Sequence, residues 1–312
     1  MIDPDTFLTT LYVTVDDLLH QLSLPEPRRR GPALALSQSE VVTLTLYGQW
    51  AHFGGEAAFY RHAAARLRAA VPRLPARSQY NRAVRACPRA ITAGGQRLAR
   101  LLDATTCAYE ALDSTGVVTR NSKRRGRGWL DGQANKGWCT RLGWYHGLHL
   151  LLAVTPTGAI TGFGLAPASV ADQDLAETFF AARCVPQPAL PEVGAPAGGV
   201  YVADTGFEGD DRWHLWAGTY GAEVVCPPKP TYTRSRRWPK ALRRAHAARR
   251  QIIETVTNRL LDTFGLEHER PHALDGVRAR LAAKAALHNF CLWLNVQLGR
   301  SPTAVADLID WP

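Results

Sequence analysis

Several things are scarce in this chain, and each scarcity excludes something. No stretch of about 18 uncharged apolar residues occurs, so no membrane-spanning helix is expected. The first residues, "MIDPDTFLTTLYVTVDDLLHQL", begin acidic and lack the basic region of a secretory signal, which leads to the expectation of a cytoplasmic, nucleoid-associated bacterial protein. Six cysteines lie far apart, at Cys87, Cys107, Cys139, Cys184, Cys226 and Cys291, and form no CxxC pair. That pattern argues against a structural zinc site and a disulfide framework, and suits reduced thiols. No internal repeat is present.

The most informative scarcity is local. From Ala57 to Leu102 there are ten arginines and no Asp or Glu. From Lys229 to Arg250 there are nine Lys or Arg, again with no acid. From Arg120 to Arg141 seven basic residues face one acid, Asp131. The formal net charge of the whole chain is +10, so the basic excess is concentrated in these segments and not spread evenly. Excluding acids while enriching bases points to a polyanionic partner, above all nucleic acid. A merely solvated basic surface is the alternative.

What is present is a full core, since 46% of the 312 residues are apolar. Residues 1–102 read as helices. Ser37 and Glu40 match a capping box ahead of "VVTLTLYGQWAHFG". Apolar residues at helical spacing fill "EAAFYRHAAARLRAAV", and Ser78 is expected to cap "ARSQYNRAVRAC". Short helices with a basic last member suggest a helix-turn-helix-like DNA-binding domain, although a small helical bundle gives the same pattern.

Near Thr105 the texture changes. "TTCAYEALDST" reads as a strand ending at Asp113, Ser114 and Thr115, and a basic, glycine-rich loop follows to about Arg141. "GWYHGLHLLLAVTPTGAITGFGLAP" gives two strands about a turn. "ADQDLAETFFAARC" reads as a helix, "GVYVADTGFEG" as a short buried strand ending at Asp204, "DDRWHLWAGTYG" as a helix and "AEVVCPP" as a strand. Helices from about Arg249 and Asp275 complete the chain. Three antiparallel strands followed by crossovers make a mixed α/β sheet, the element order of an RNase H-like fold. The expected domains are 1–102 and 103–312, the second with a basic insertion at about 229–248.

Asp113 and Asp204 both end apolar strands, where ligands gather in open α/β sheets. Two carboxylates there repel each other unless a divalent cation sits between them, and hard oxygen donors suit Mg²⁺. In "RRQIIETVTNRL", Glu254 borders the apolar stripe of Ile253, Val256, Leu260 and Phe264, with Arg250 one turn before it. By itself that arrangement favours an ordinary surface Arg–Glu pair.

"ALDST", "VADTGFEG" and "RRQIIETVTNRL" resemble the three catalytic stretches of DDE transposases from bacterial insertion sequences, of the IS4/IS5-like superfamily. The resemblance covers roughly Ala111 to Leu294. It implies a catalytic and metal-binding triad of Asp113, Asp204 and Glu254, two Mg²⁺ or Mn²⁺ ions, and double-stranded DNA as substrate. It implies cleavage at element ends, strand transfer into target DNA, and a homodimer or larger synaptic assembly. Alternatives are a DNA nuclease of the same fold, or a domesticated relative that binds DNA without moving it. Arg250 matches the family's arginine before the glutamate, whereas Ala247 and Leu261 replace its tyrosine and lysine. Leu148 and His149 stand where the family often has a lysine. Arg250, Arg234, Arg236, Arg237, Arg243, Arg244, Lys123, Arg124 and Arg125 are the expected DNA contacts. Trp129, Trp138 and Trp238 lie in basic segments, where an aromatic side chain stacks on a displaced base or simply packs. Asp172 and Asp174 read as helix-flanking, Asp103 and Glu110 as structural, and the His268/His272 pair as a weak metal motif interrupted by Pro271.

Overall fold

A computed structural model describes residues 1–24, 35–120, 130, 132–185, 199–229, 238–268 and 273–311. It divides into two compact units, Met1–Leu98 with Arg259–Pro312, and Ala99–Asn258. The C-terminal 54 residues therefore join the N-terminal helical unit, a different partition from the sequence-based one at residue 102.

The first unit is helical. It contains α1 (Pro4–Leu22), α2 (Gln38–Tyr47), α3 (Glu56–Arg66), α4 (Arg77–Ala86) and most of α5 (Pro88–Leu102). The Ser37–Glu40 box forms as expected: the Glu40 amide donates to the Ser37 hydroxyl, and the Ser37 amide to the Glu40 carboxylate. Ser78 does not cap α4. The helix begins at Arg77, with Ala76 at the N-cap, and the Gln79 side chain accepts from the Ala76 amide at 3.2 Å. Tyr80 and Ala83 turn inward, which leaves Arg77, Arg82 and Arg85 exposed on the opposite side.

The second unit holds β1 (Tyr109–Arg120), β2 (Asn135–Cys139), β3 (Gly143–Val154), β4 (Ile160–Pro167), α6 (Asp172–Cys184), β5 (Val200–Val202), α7 (Asp210–Tyr220) and β6 (Glu223–Val225). Helix α8 (Lys240–Leu261) begins in it, and α9 (Leu274–Gln297) belongs to the first unit. The strands form one mixed sheet in the order β2-β3-β1-β5-β6, with β4 also pairing β3. β1, β2, β3 and β4 are antiparallel to their neighbours, whereas β1–β5 and β5–β6 are parallel. This is the RNase H-like α/β organisation anticipated from the element order. One face is sealed by α6 and α7 through Leu175, Phe179, Phe180 and Trp216, packed on Leu112, Leu151 and Tyr201.

Three local expectations change. A fourth antiparallel strand, β2, forms inside the stretch read as loop. β1 continues to Arg120, so Asp113 lies mid-strand instead of at the end. The helix bearing Glu254 starts at Lys240, not Arg249, so the last residues of the expected 229–248 insertion are its opening turns. No helix among the described residues is long and apolar enough to cross a membrane.

Candidate active site

β1 and β5 run parallel, with Tyr109 opposite Val200 and Ala111 opposite Val202. Two residues beyond that last pair come Asp113 and Asp204, and the charge of Asp204 acts on the Asp113 carboxyl. β5 has ended by then, so Asp204 stands at the carboxyl edge where the sheet falls away beside the longer β1. The chain turns there through a short 3₁₀ helix, Thr205–Phe207. The Asp204 carboxylate accepts from the Gly206 amide at 2.7 Å. Phe207 anchors the turn in the core, and its carbonyl accepts from the Trp213 indole at 3.1 Å.

A third carboxylate enters from the start of α6. One oxygen of Asp172 accepts from the Ser114 hydroxyl. The same oxygen lies 3.2 Å from His149 Nε2, while His149 Nδ1 bonds the Val170 carbonyl at 2.8 Å. Both ring nitrogens face acceptors, which favours the doubly protonated imidazolium. Burial alone would lower the His149 pKa, but the hydrogen bonds to Asp172 and Val170 raise it above the ordinary histidine value. Burial alone would raise Asp172, but the hydrogen bonds from His149 and Ser114 hold it below the usual carboxylate range. The second oxygen of Asp172 and Oδ1 of Asp204 each lie 2.8 Å from the point where a β-carbon on Gly206 would stand. The two carboxylates thus share a small space that only glycine leaves open.

Asp113 differs from Asp172. Burial pushes its carboxyl up to about 6; the Arg250 guanidinium, 3.4 Å away, opposes the rise, while Asp204 and Asp172 add to it. Asp113 is half-buried with acids beside it and one arginine in compensation, and its carboxylate oxygens are donors of the kind that hard divalent cations take. Among the described residues, no three His, Cys, Asp or Glu side chains are gathered closely enough to hold a metal ion. Glu254 is exposed on α8, one turn beyond Arg250, while Ile253 and Val256 of the same helix are fully buried.

The remaining residues divide as follows. Arg243 and Arg244 are exposed on the first turns of α8. Arg234, Arg236, Arg237, Lys123, Arg124, Arg125, Trp129 and His272 lie outside the described residues. Trp238 packs edge-on against His246. Glu110 is structural, as expected: it is 1% exposed and ion-paired with Arg183. Asp103 likewise accepts from Thr157 at 2.7 Å. Asp172 was read from the sequence only as helix-flanking. Its partners Ser114 and His149 come from other strands, and no local pattern announces them.

The sheet and its flanking helices define an α/β protein with an RNase H-like fold. Residues 111–290 match the family model of the transposase DDE domain. The match spans more than half of the chain, and the protein belongs to that family. No curated protein and no solved structure matches it.

Proposed function

We propose that this chain is an insertion-sequence transposase of the IS4/IS5-like kind, which cuts DNA at element ends and joins the freed 3′-hydroxyl to target DNA. The family match carries the reading, and the position of Asp204 just past the end of β5, where its charge acts on Asp113 of the neighbouring strand, supports it. Asp113, Asp204 and Glu254 would hold the divalent ions. When bound, such a pair supplies charge stabilisation to the attacking and leaving oxygens of an in-line phosphoryl transfer. The chain's own residues do the rest. Arg250 balances the charge of Asp113 and offers a planar guanidinium that can bind two phosphate oxygens at once. The His149 imidazolium and Ser114 hold Asp172 ionised and fixed beside Asp204. The raised pKa of His149, caused by its hydrogen bonds to Asp172 and Val170, supports the view that it fills the place of the family's lysine.

Exposed arginines would neutralise backbone phosphates. Arg77, Arg82 and Arg85 on α4 suit end recognition by residues 1–102, and Arg243 and Arg244 suit contacts beside the site. Two ends must be joined in one event, so a dimer or larger assembly on DNA follows.

The test is incubation of the full chain with duplex carrying the element's own ends, with Mg²⁺ or with a chelator. Metal-dependent nicking and joined products support the proposal. Nicking without joining reduces the protein to a nuclease, and DNA binding without any metal-dependent cut overturns the reading.

A further inference from the structure

The hairpin of β2 and β3 has two unlike faces. Trp138 stands opposite Trp144, and Lys136 opposite His146. Side chains alternate along each strand. Gly137 and Tyr145 turn inward: Tyr145 is buried, and a β-carbon on Gly137 would collide with the Ala168 carbonyl. Lys136, Trp138, Trp144 and His146 therefore share the outer face. The two indoles are 58% and 65% exposed. Isolated exposed aromatics are ordinary, but two tryptophans paired across strands, with β-carbons about 5 Å apart, form a continuous aromatic surface left in water.

Cations frame that surface. The Lys136 ammonium lies 4.8 Å from the Trp144 ring centroid. Arg120, His146 and Lys136 form one row across β1, β3 and β2, and Arg120 lies 3.0 Å from the His146 ring nitrogen. From Ser114 to Ala171 the sequence contains one acid, Asp131, and it lies outside the described residues. The described residues of β1 after Asp113, and those of β2, β3 and β4, thus contribute cations and indoles but no carboxylate of their own.

We propose that this face is a stacking platform for unpaired bases of the DNA substrate, with Trp138 and Trp144 supplying π faces and the Lys136–Arg120 row taking the phosphates. The proposal rests on the reading of the chain as a DNA-acting transposase. A duplex offers phosphates to the cationic row but keeps its base faces covered, so it leaves the indoles unused. An unpaired strand satisfies both. Arg120 is seven residues along β1 from Asp113, about 23 Å at strand rise, so the platform addresses flanking DNA and not the scissile phosphate.

The test compares the full-length wild type with W138L/W144L and W138F/W144F at fixed low salt. One probe is a fluorescein-labelled oligo-dT and the other a duplex of the same length. Leucine keeps apolar area without a π face, and phenylalanine keeps the face. The expected result is an oligo-dT affinity reduced about tenfold or more in W138L/W144L, near wild type in W138F/W144F, and duplex affinity little changed in both. Intrinsic tryptophan emission of the wild type should be quenched by oligo-dT, a readout that holds even if a variant folds poorly. Absence of quenching, or unchanged oligo-dT affinity in the leucine variant, overturns the platform. A leucine variant that sediments as a smaller species with unchanged DNA affinity makes the face an interface between copies, and also overturns it. If wild type cuts duplex while oligo-dT binding ignores the tryptophans, only the platform fails. If wild type binds neither probe, the transposase reading fails and takes the platform with it.

Discussion

The two halves of β1 make opposite surfaces. Its first half pairs with β5 and leads to Asp113, whose carboxyl feels the charges of Asp204 and Asp172. Its second half has lost that neighbour and ends at Arg120, in a row with His146 and Lys136. One strand thus carries an acid near Asp204 and Asp172 and, about 23 Å away, a basic row. Charge of one sign throughout would serve only one of these: acids alone repel DNA, and bases alone leave no place for a divalent ion. The comparison can be broken at either end.

The largest effect is expected at the acidic end. Asp204→Asn should lower metal-dependent cleavage about a thousandfold, some 4 kcal/mol of transition-state stabilisation, while gel-shift affinity for end DNA holds or rises. Parallel loss of binding and cleavage would signal misfolding instead. Arg250→Met removes the cation paired with Asp113. A charged hydrogen bond to phosphate is worth about 2 kcal/mol, so single-turnover cleavage should slow roughly thirtyfold, with dissociation constants changed far less. Equal losses in both would make Arg250 a simple affinity contact.

The third effect is in stability. Because Asp113 titrates near 6 in the folded chain and near 3.8 when unfolded, the folded state holds its proton more tightly. The stability this gives is complete below about pH 4 and is lost as pH rises through about 6. Asp172 has the opposite sign, since its lowered value contributes above pH 3.8 and is lost only in stronger acid. In a chelating buffer the melting temperature of wild type should therefore fall from pH 4 to pH 7 more than that of Asp113→Asn, and added Mg²⁺ should remove the difference. Identical profiles would mean that Asp113 is not strained by its surroundings. The smallest effect is at the basic surface. R243A/R244A should flatten the slope of log affinity against log salt by about two phosphate contacts, and an unchanged slope would return these arginines to solvent.

Much of this was legible in the sequence, and for identifiable reasons. Buried strands with apolar residues on both faces, such as "YEAL" and "VYVA", stand out as runs, so the aspartates that follow them are conspicuous. β2 was not legible: "NKGWC" contains glycine and lysine and sits in a basic, glycine-rich stretch, and its pairing with β3 is a tertiary fact. The onset of α8 was hidden because "KALRRAHAA" has few apolar residues, so its helical period is faint. The Asp172 cluster was hidden for another reason. Its hydrogen bonds link residues 58 and 23 positions away, and spacing along the chain does not encode such a closure.

Helix α6 is fastened to the sheet at both ends. At its start Asp172 is held by Ser114 and His149. At its finish Arg183 is held by Glu110, by Thr161 at 2.7 Å and by Tyr201 at 2.9 Å. The apolar side chains between them pack on the sheet, and these two polar rivets fix the register of that packing. The distance between them, about 17 Å at helical rise, is thereby fixed by the number of residues in α6. The helix acts as a ruler. Its composition can drift, but one residue added or removed would turn one rivet about 100° away from its seat.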